Sequence, residues 1–295
     1  MMHTRPPDEI IRVQATLGES ILWDSRRELL WWTDIHGRRL YRYEWARASL
    51  QAFDTPERVG SFGLVADGDL LIAAFANGIG LYDVARRSVA WLDRPAIPPG
   101  VRFNDGKVDR RGRFWAGTMV ETEEQSLGPA ACLYSVEGRD TARCQVKDLR
   151  ISNGLCFSAD GNQLYLADSP SREIRVYDLL EPEGRLGQSR TLARTPAGAY
   201  PDGAAIDADG CLWSAHWGAG CVVRYTPAGH VDRVLKVPTS QPTCVCFGGP
   251  ARDVLCITSA REGLTHDVLE REPHAGDVFM YRLGVQGLAE PEYRA

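Results

Sequence analysis

Basic clusters are missing from this chain, whose formal net charge is -5. Binding a nucleic-acid backbone rests on closely spaced Lys and Arg that neutralise phosphates, so the composition argues against a nucleic-acid partner. Apolar runs long enough to span a bilayer, which needs roughly 20 residues, are missing too. Met1–Asp8 shows no basic stretch leading into an apolar one, the pattern of a secretory signal. The expectation is a cytoplasmic protein without membrane contact. Eight cysteines occur, but none forms a CxxC pair, and most sit in apolar segments such as Gly154–Phe157 and Thr243–Phe247. They read as free thiols serving as small buried hydrophobes, not as a disulfide framework or a zinc site. GxSxG, HExxH and P-loop motifs are absent, which leaves serine hydrolase, zinc protease and nucleotide chemistry without support. Long amphipathic helical patterns are also lacking.

What the chain does have is short strands rich in Val, Ile, Leu, Trp and Tyr, separated by Asp-Gly and Asn-Gly signals. Glycine-anchored turns recur at Gly68, Gly112, Gly161 and Gly210, with spacings of 44, 49 and 49 residues. That period matches a propeller blade of four strands. Six copies can be written out. Their first strands are Glu19–Asp24, Phe62–Asp67, Asn104–Asp109, Asn153–Ser158, Asp202–Asp207 and Thr243–Gly248. The fold class is therefore all-β, a six-bladed β-propeller, and no linker divides it, so residues 1–295 are expected to form a single domain. The apolar stretch Ile10–Val13 can supply an outer strand to the last blade and close the ring.

Blades are related by rotation, so residues at one phase of the repeat lie at one height on the channel wall. The first residue of each copy gives Glu19, Phe62, Asn104, Asn153, Asp202 and Thr243, five of them polar, and all are expected at one mouth of the channel. Taken singly, Asn104-Asp-Gly, Asn153-Gly and Asp202-Gly are ordinary turn signals. The hairpin signals Asp67-Gly68, Asp160-Gly161 and Asp209-Gly210, however, fall at the other end of the same strands. The segment Asp207–Gly210 resembles the start of an EF-hand loop, but no bidentate Glu follows at the required spacing, and it reads as a turn. Carboxylates gathered in a channel are costly unless paired or bound to a cation. Two carboxylates with Asn carbonyl oxygens suit one divalent metal ion such as Ca²⁺, Mg²⁺ or Mn²⁺. The lack of His and Cys at this phase weighs against zinc. Loops returning to the same mouth carry Asp34, His36, Asn77, Glu121, Ser169, His216, Trp217 and Arg261. Glu121 is the one placed to aim a carboxylate at a bound hydroxyl. For His36 and His216, a solvated or packed loop histidine is an equal reading.

Together, Leu17-Gly-Glu-Ser20, Arg102–Asp109, Gly117-Thr-Met119, Ile151-Ser-Asn-Gly154, Pro201-Asp-Gly203 and Cys246-Phe-Gly-Gly249 resemble the SMP-30/gluconolactonase/regucalcin-like family along almost the whole chain. The resemblance implies metal ligands at Glu19, Asn153 and Asp202, and sugar-hydroxyl contacts from Arg102, Asn104 and Glu121. It implies a metal-dependent sugar lactonase whose ion could be Ca²⁺, Mg²⁺, Mn²⁺, Zn²⁺ or Fe²⁺ and whose partner is a small-molecule sugar lactone. Asp202 is then the expected general base. Glu123 and Glu124 mark a short acidic loop in a region that varies with substrate in such enzymes. Which lactone is opened and the oligomeric state stay open. Two other readings remain: a propeller scaffold whose ion is structural, and a hydrolase of non-sugar lactones or other esters using the same metal site.

Overall fold

The computed structural model describes residues 2–3, 5–66, 68–121, 128 and 130–295. Asp67 of the first hairpin signal, and Glu123 and Glu124 of the acidic loop, lie outside the described residues. The described residues form six sheets, each built on an antiparallel core. Blade 1 holds Gly18–Asp24, Leu29–Asp34, Arg39–Glu44 and Ser49–Asp54. Blades 2 to 6 begin with inner strands Val59–Val65, Val101–Val108, Ser152–Phe157, Tyr200–Ile206 and Pro242–Gly248. This is the six-bladed propeller expected from the repeat.

Burial follows position in the blade. The inner strand Gly18–Asp24 is buried along its whole length, whereas the outer strand Ser49–Asp54 is largely exposed. Six apolar clusters each span two neighbouring blades, so every blade packs face to face on the next. Between blades 6 and 1 lie Trp23, Trp32, Tyr43, Cys246 and Cys256. Cys246 and Cys256 are indeed small buried hydrophobes here, and six of the eight thiols are buried. Among the described residues no helix is long and apolar enough to cross a membrane.

The ring closes as the sequence suggested, because Glu9–Ile11 pairs antiparallel with Val278–Arg282 of blade 6. The strand is shorter than Ile10–Val13 for a local reason. Val13 and Gln14 donate their backbone N–H groups to Asp277 Oδ1 at 2.9 and 3.0 Å, and Gln14 has φ 49°, which turns the chain out of the ladder.

Asp109 and Asp207 end inner strands at the face where the hairpins turn. Oδ1 of Asp207 accepts from the N–H groups of Asp209 and Cys211, and its Oδ2 accepts from Trp213 Nε1 and Arg224 Nε. Asp109 does the same with Arg111, Arg113 and Trp115. These acids are consumed as turn caps, so Asp207–Gly210 is a turn.

The opposite ends of the inner strands are irregular in all six blades. The pairing register slips between Glu19 and Leu22, Val59 and Ser61, Phe103 and Gly106, Asn153 and Cys156, Pro201 and Ala204, and Pro242 and Val245. Such a bulge leaves a residue out of the ladder and re-aims the side chains beside it. Gly154, next to Asn153, takes φ +63°, a conformation that favours glycine. Gly203, next to Asp202, lies so close to blade 6 that an added Cβ would meet Cys244 Cα at 2.7 Å. The Asn-Gly and Asp-Gly pairs at this end are therefore bulge elements within strands, not hairpin turns.

Candidate active site

The bulged ends open onto a cavity of about 450 Å³. Its wall includes all six residues singled out for metal or substrate: Glu19, Arg102, Asn104, Glu121, Asn153 and Asp202. They come from blades 1, 3, 4 and 5. Phe62 and Thr243, the other two residues at this phase, do not line it. Thr243 turns its hydroxyl between strands, donating to Gly18 O and meeting Thr258 Oγ1, so blade 6 contributes packing at this height. Phe62 packs in the cluster between blades 1 and 2.

At one end of the cavity stand Glu19, Asn153 and Asp202, only 8%, 7% and 6% exposed. Glu19 and Asp202 lie near enough for their carboxyls to act on each other electrostatically. Burial, reinforced by the charge of Asp105, pushes the Glu19 carboxyl up to about 8. Burial and then the charges of Glu19 and Asp105 push Asp202 well above the usual carboxylate range. Asp105 is a buried acid that sequence reasoning did not separate from its motif. It bonds across to blade 4, accepting from the Leu155 N–H at 2.7 Å, and burial raises it to about 6. Desolvated carboxyls this close retain protons unless a cation joins them.

The other end is built on Arg102. Its Nε donates to Glu121 Oε1 at 2.8 Å, and its Nη1 donates to Phe103 O and to Asn104 Oδ1 at 2.8 Å. Asn104 Nδ2 donates to Asn153 Oδ1 at 2.8 Å, Asn153 Nδ2 donates to Ser169 Oγ at 2.9 Å, and that hydroxyl donates to Pro201 O. One hydrogen-bonded chain thus runs from Glu121 to blade 5 and fixes both carboxamides. Glu121 receives a second guanidinium, that of Arg58, at 2.6 and 3.0 Å. Burial alone would raise its carboxyl, but Arg58 and Arg102 hold it below the usual value. Nothing in the sequence marked Arg58, which lies just ahead of an ordinary apolar strand.

The donor set fits a hard divalent ion: two carboxylates and one carboxamide oxygen, delivered by three rigid strands. Among the described residues no group of three or more His, Cys, Asp or Glu is arranged to hold a metal.

Of the loop residues, His36, Ser169 and Trp217 join Glu121 on the cavity wall, whereas Asp34, Asn77, His216 and Arg261 do not. Asp34 accepts from the N–H groups of Thr16, Leu17 and Gly37 and shapes a turn. His36 Nε2 lies 2.9 Å from Glu262 Oε1, and both residues line the cavity. His216 is buried in blade 5, its Nε2 3.3 Å from the Tyr225 hydroxyl, and burial depresses it to about 4. It is a neutral packed histidine.

The SMP-30/Gluconolactonase/LRE-like region matches residues 17–261 of this chain. The chain belongs to that family. It is 38% identical over 286 residues to 6-deoxy-6-sulfogluconolactonase of Pseudomonas putida, with 96% of each chain covered. It is 37% identical over 282 residues to L-arabinolactonase of Azospirillum brasilense, covering 94% of this chain and 92% of that one. Among solved structures, regucalcin of Agrobacterium tumefaciens, described as a calcium-binding protein, superposes with a TM-score of 0.91 at 28% identity over 99% of both chains.

Proposed function

We propose that this protein is a metal-dependent hydrolase that opens sugar lactones to aldonic acids. The observation that carries the reading is the gathering of Glu19 and Asp202, two buried carboxyls from different blades, on one cavity wall with Asn153 and with the polar cluster of Arg102, Asn104 and Glu121. The names of the two bacterial relatives support the substrate class, and that of the Agrobacterium structure supports a cation. A structural ion alone would not call for Arg102, Asn104 and Glu121.

Glu19, Asn153 and Asp202 would hold the ion, which supplies Lewis-acid polarisation of the ester carbonyl, worth several kcal/mol of transition-state stabilisation. The chain's own residues do the rest. Glu121, kept ionised by two guanidiniums, accepts from ring hydroxyls, while Arg102 and Asn104 present fixed polar groups beside it. Asp202 is the general base. It takes a proton from the attacking water as the water oxygen bonds to the carbonyl carbon, and as the ring C–O bond then breaks it passes that proton to the former ring oxygen, which leaves as a hydroxyl. A lactone holds its ester in the strained cis form, so the barrier to be lowered is smaller than for an open ester.

The test is acid release from five- and six-membered aldonolactones by wild type, chelated protein and protein given single metals back. Activity lost on chelation and restored by a divalent ion supports the reading, whereas a flat response with every lactone refutes it. Near wild-type turnover in Asp202→Ala would remove the base assignment.

A further inference from the structure

Among the described residues blade 2 supplies no oxygen donor to the cavity, and its residue at the ring phase is Phe62. Its contribution is Arg58, at the entrance to its inner strand. Nη1 of Arg58 donates to Glu121 Oε1 at 2.6 Å and Nη2 to Oε2 at 3.0 Å, a two-pronged contact across the gap between blades 2 and 3. Such a fork fixes the plane of a carboxylate as well as its charge, which a single donor cannot do. Arg102 reaches only Oε1 of Glu121. Without Arg58 the Oε2 atom has no partner among the described residues and the carboxylate is free to rotate about the remaining bond.

We infer that Arg58 is the positioning residue of the substrate end of the site: it sets the orientation of Glu121 and so decides how well ring hydroxyls are received. The inference rests on the lactonase reading for its consequence but not for its geometry. Arg58 is absent from the cavity wall, so it acts through Glu121 and not by touching substrate. The backbone holds it in place independently, because the Ala76 N–H donates to Arg58 O at 2.9 Å. The charged groups facing the cluster are Arg102 on its own blade and Glu262 and His36 across the cavity, which pair with each other.

The test compares wild type, Arg58→Met, Arg58→Lys, Glu121→Gln and the double variant Arg58→Met/Glu121→Gln on an aldonolactone panel. Arg58→Met is expected to raise KM about tenfold while kcat stays within about threefold, because a hydroxyl contact is weakened and the reacting centre is untouched. Arg58→Lys keeps the charge but not the fork and should recover only part of the loss. In the Glu121→Gln background the same change should cost less than about twofold, since coupled residues are not additive. Equal losses in both backgrounds, or an unchanged KM in Arg58→Met, overturn the inference.

A second readout needs no turnover: ¹³C NMR titration of the Glu121 carboxyl in wild type and in Arg58→Met, with thermal melting to confirm both are folded. An upward shift of the Glu121 titration in Arg58→Met supports the clamp even if no lactone is opened. An unmoved titration rejects it whatever the fate of the lactonase reading.

Discussion

Cation binding at the Glu19–Asn153–Asp202 cluster should displace protons, and the size of the effect follows from the burial of its acids. The Glu19 carboxyl is pushed to about 8 by burial and by Asp105, and Asp202 stands well above the usual range. Below about pH 8 an ion that binds both oxygen sets must therefore displace at least one proton, and each proton displaced raises the association constant tenfold per pH unit. From about pH 5.5 to about pH 7.5, the affinity for Ca²⁺ or Mn²⁺ is expected to rise roughly 100-fold, which corresponds to about 2.7 kcal/mol. Isothermal titration of metal-free protein in two buffers of different ionisation enthalpy counts the protons directly, and Glu19→Gln should lower both the count and the affinity. An affinity that is flat over this window, with heats independent of buffer, would show that these carboxyls ionise normally and would sink the argument.

The sign for stability is opposite in the metal-free protein. A carboxyl whose value rises from 4.5 to about 8 on folding binds a proton that the unfolded chain gives up. Metal-free protein should therefore lose stability as pH climbs through that interval, and the loaded protein should not.

Other outcomes follow from the same contacts. Glu121→Ala is expected to raise KM by roughly one to two orders of magnitude while lowering kcat much less, measured by steady-state kinetics on the best lactone of the panel. His216, depressed by burial to about 4 from 6.5, refuses a proton that the unfolded chain accepts, so stability should fall as pH drops through that window. His216→Gln should remove that part of the decline in urea melts. Deleting residues 1–12 removes the strand that closes blade 6 and takes Ile11 out of the cluster between blades 6 and 1. The expected cost is roughly 3 kcal/mol, read by denaturation, with concentration-dependent association on gel filtration as the bared edge seeks partners.

The propeller was legible because a blade is a local unit, and its strands and turns repeat in the chain itself. The ring of candidate donors was legible for the same reason: equal phase means equal height. That logic could not foresee what each residue does at its height. Thr243 shares the phase of Glu19 and Asp202, yet its hydroxyl is spent on Gly18 and Thr258 of neighbouring strands. Asp105 hid inside a turn-like triplet until the bulge between Phe103 and Gly106 showed that these residues leave the ladder. His216 looked chemically able in a loop, and burial beside Tyr225 makes it inert.

By itself, then, the amino-acid order determined the number of blades, the strand that closes them and the residues presented at one mouth of the channel, since all of these follow from periodicity along the chain. Only the tertiary structure decided which acids are buried together, that Asn104 and Asn153 are linked in one hydrogen-bonded chain, and that Arg58 grips Glu121. Those facts depend on distances between blades 40 to 200 residues apart in sequence on the order of a few ångströms, and on burial that changes the charge of a carboxyl, neither of which a linear pattern encodes.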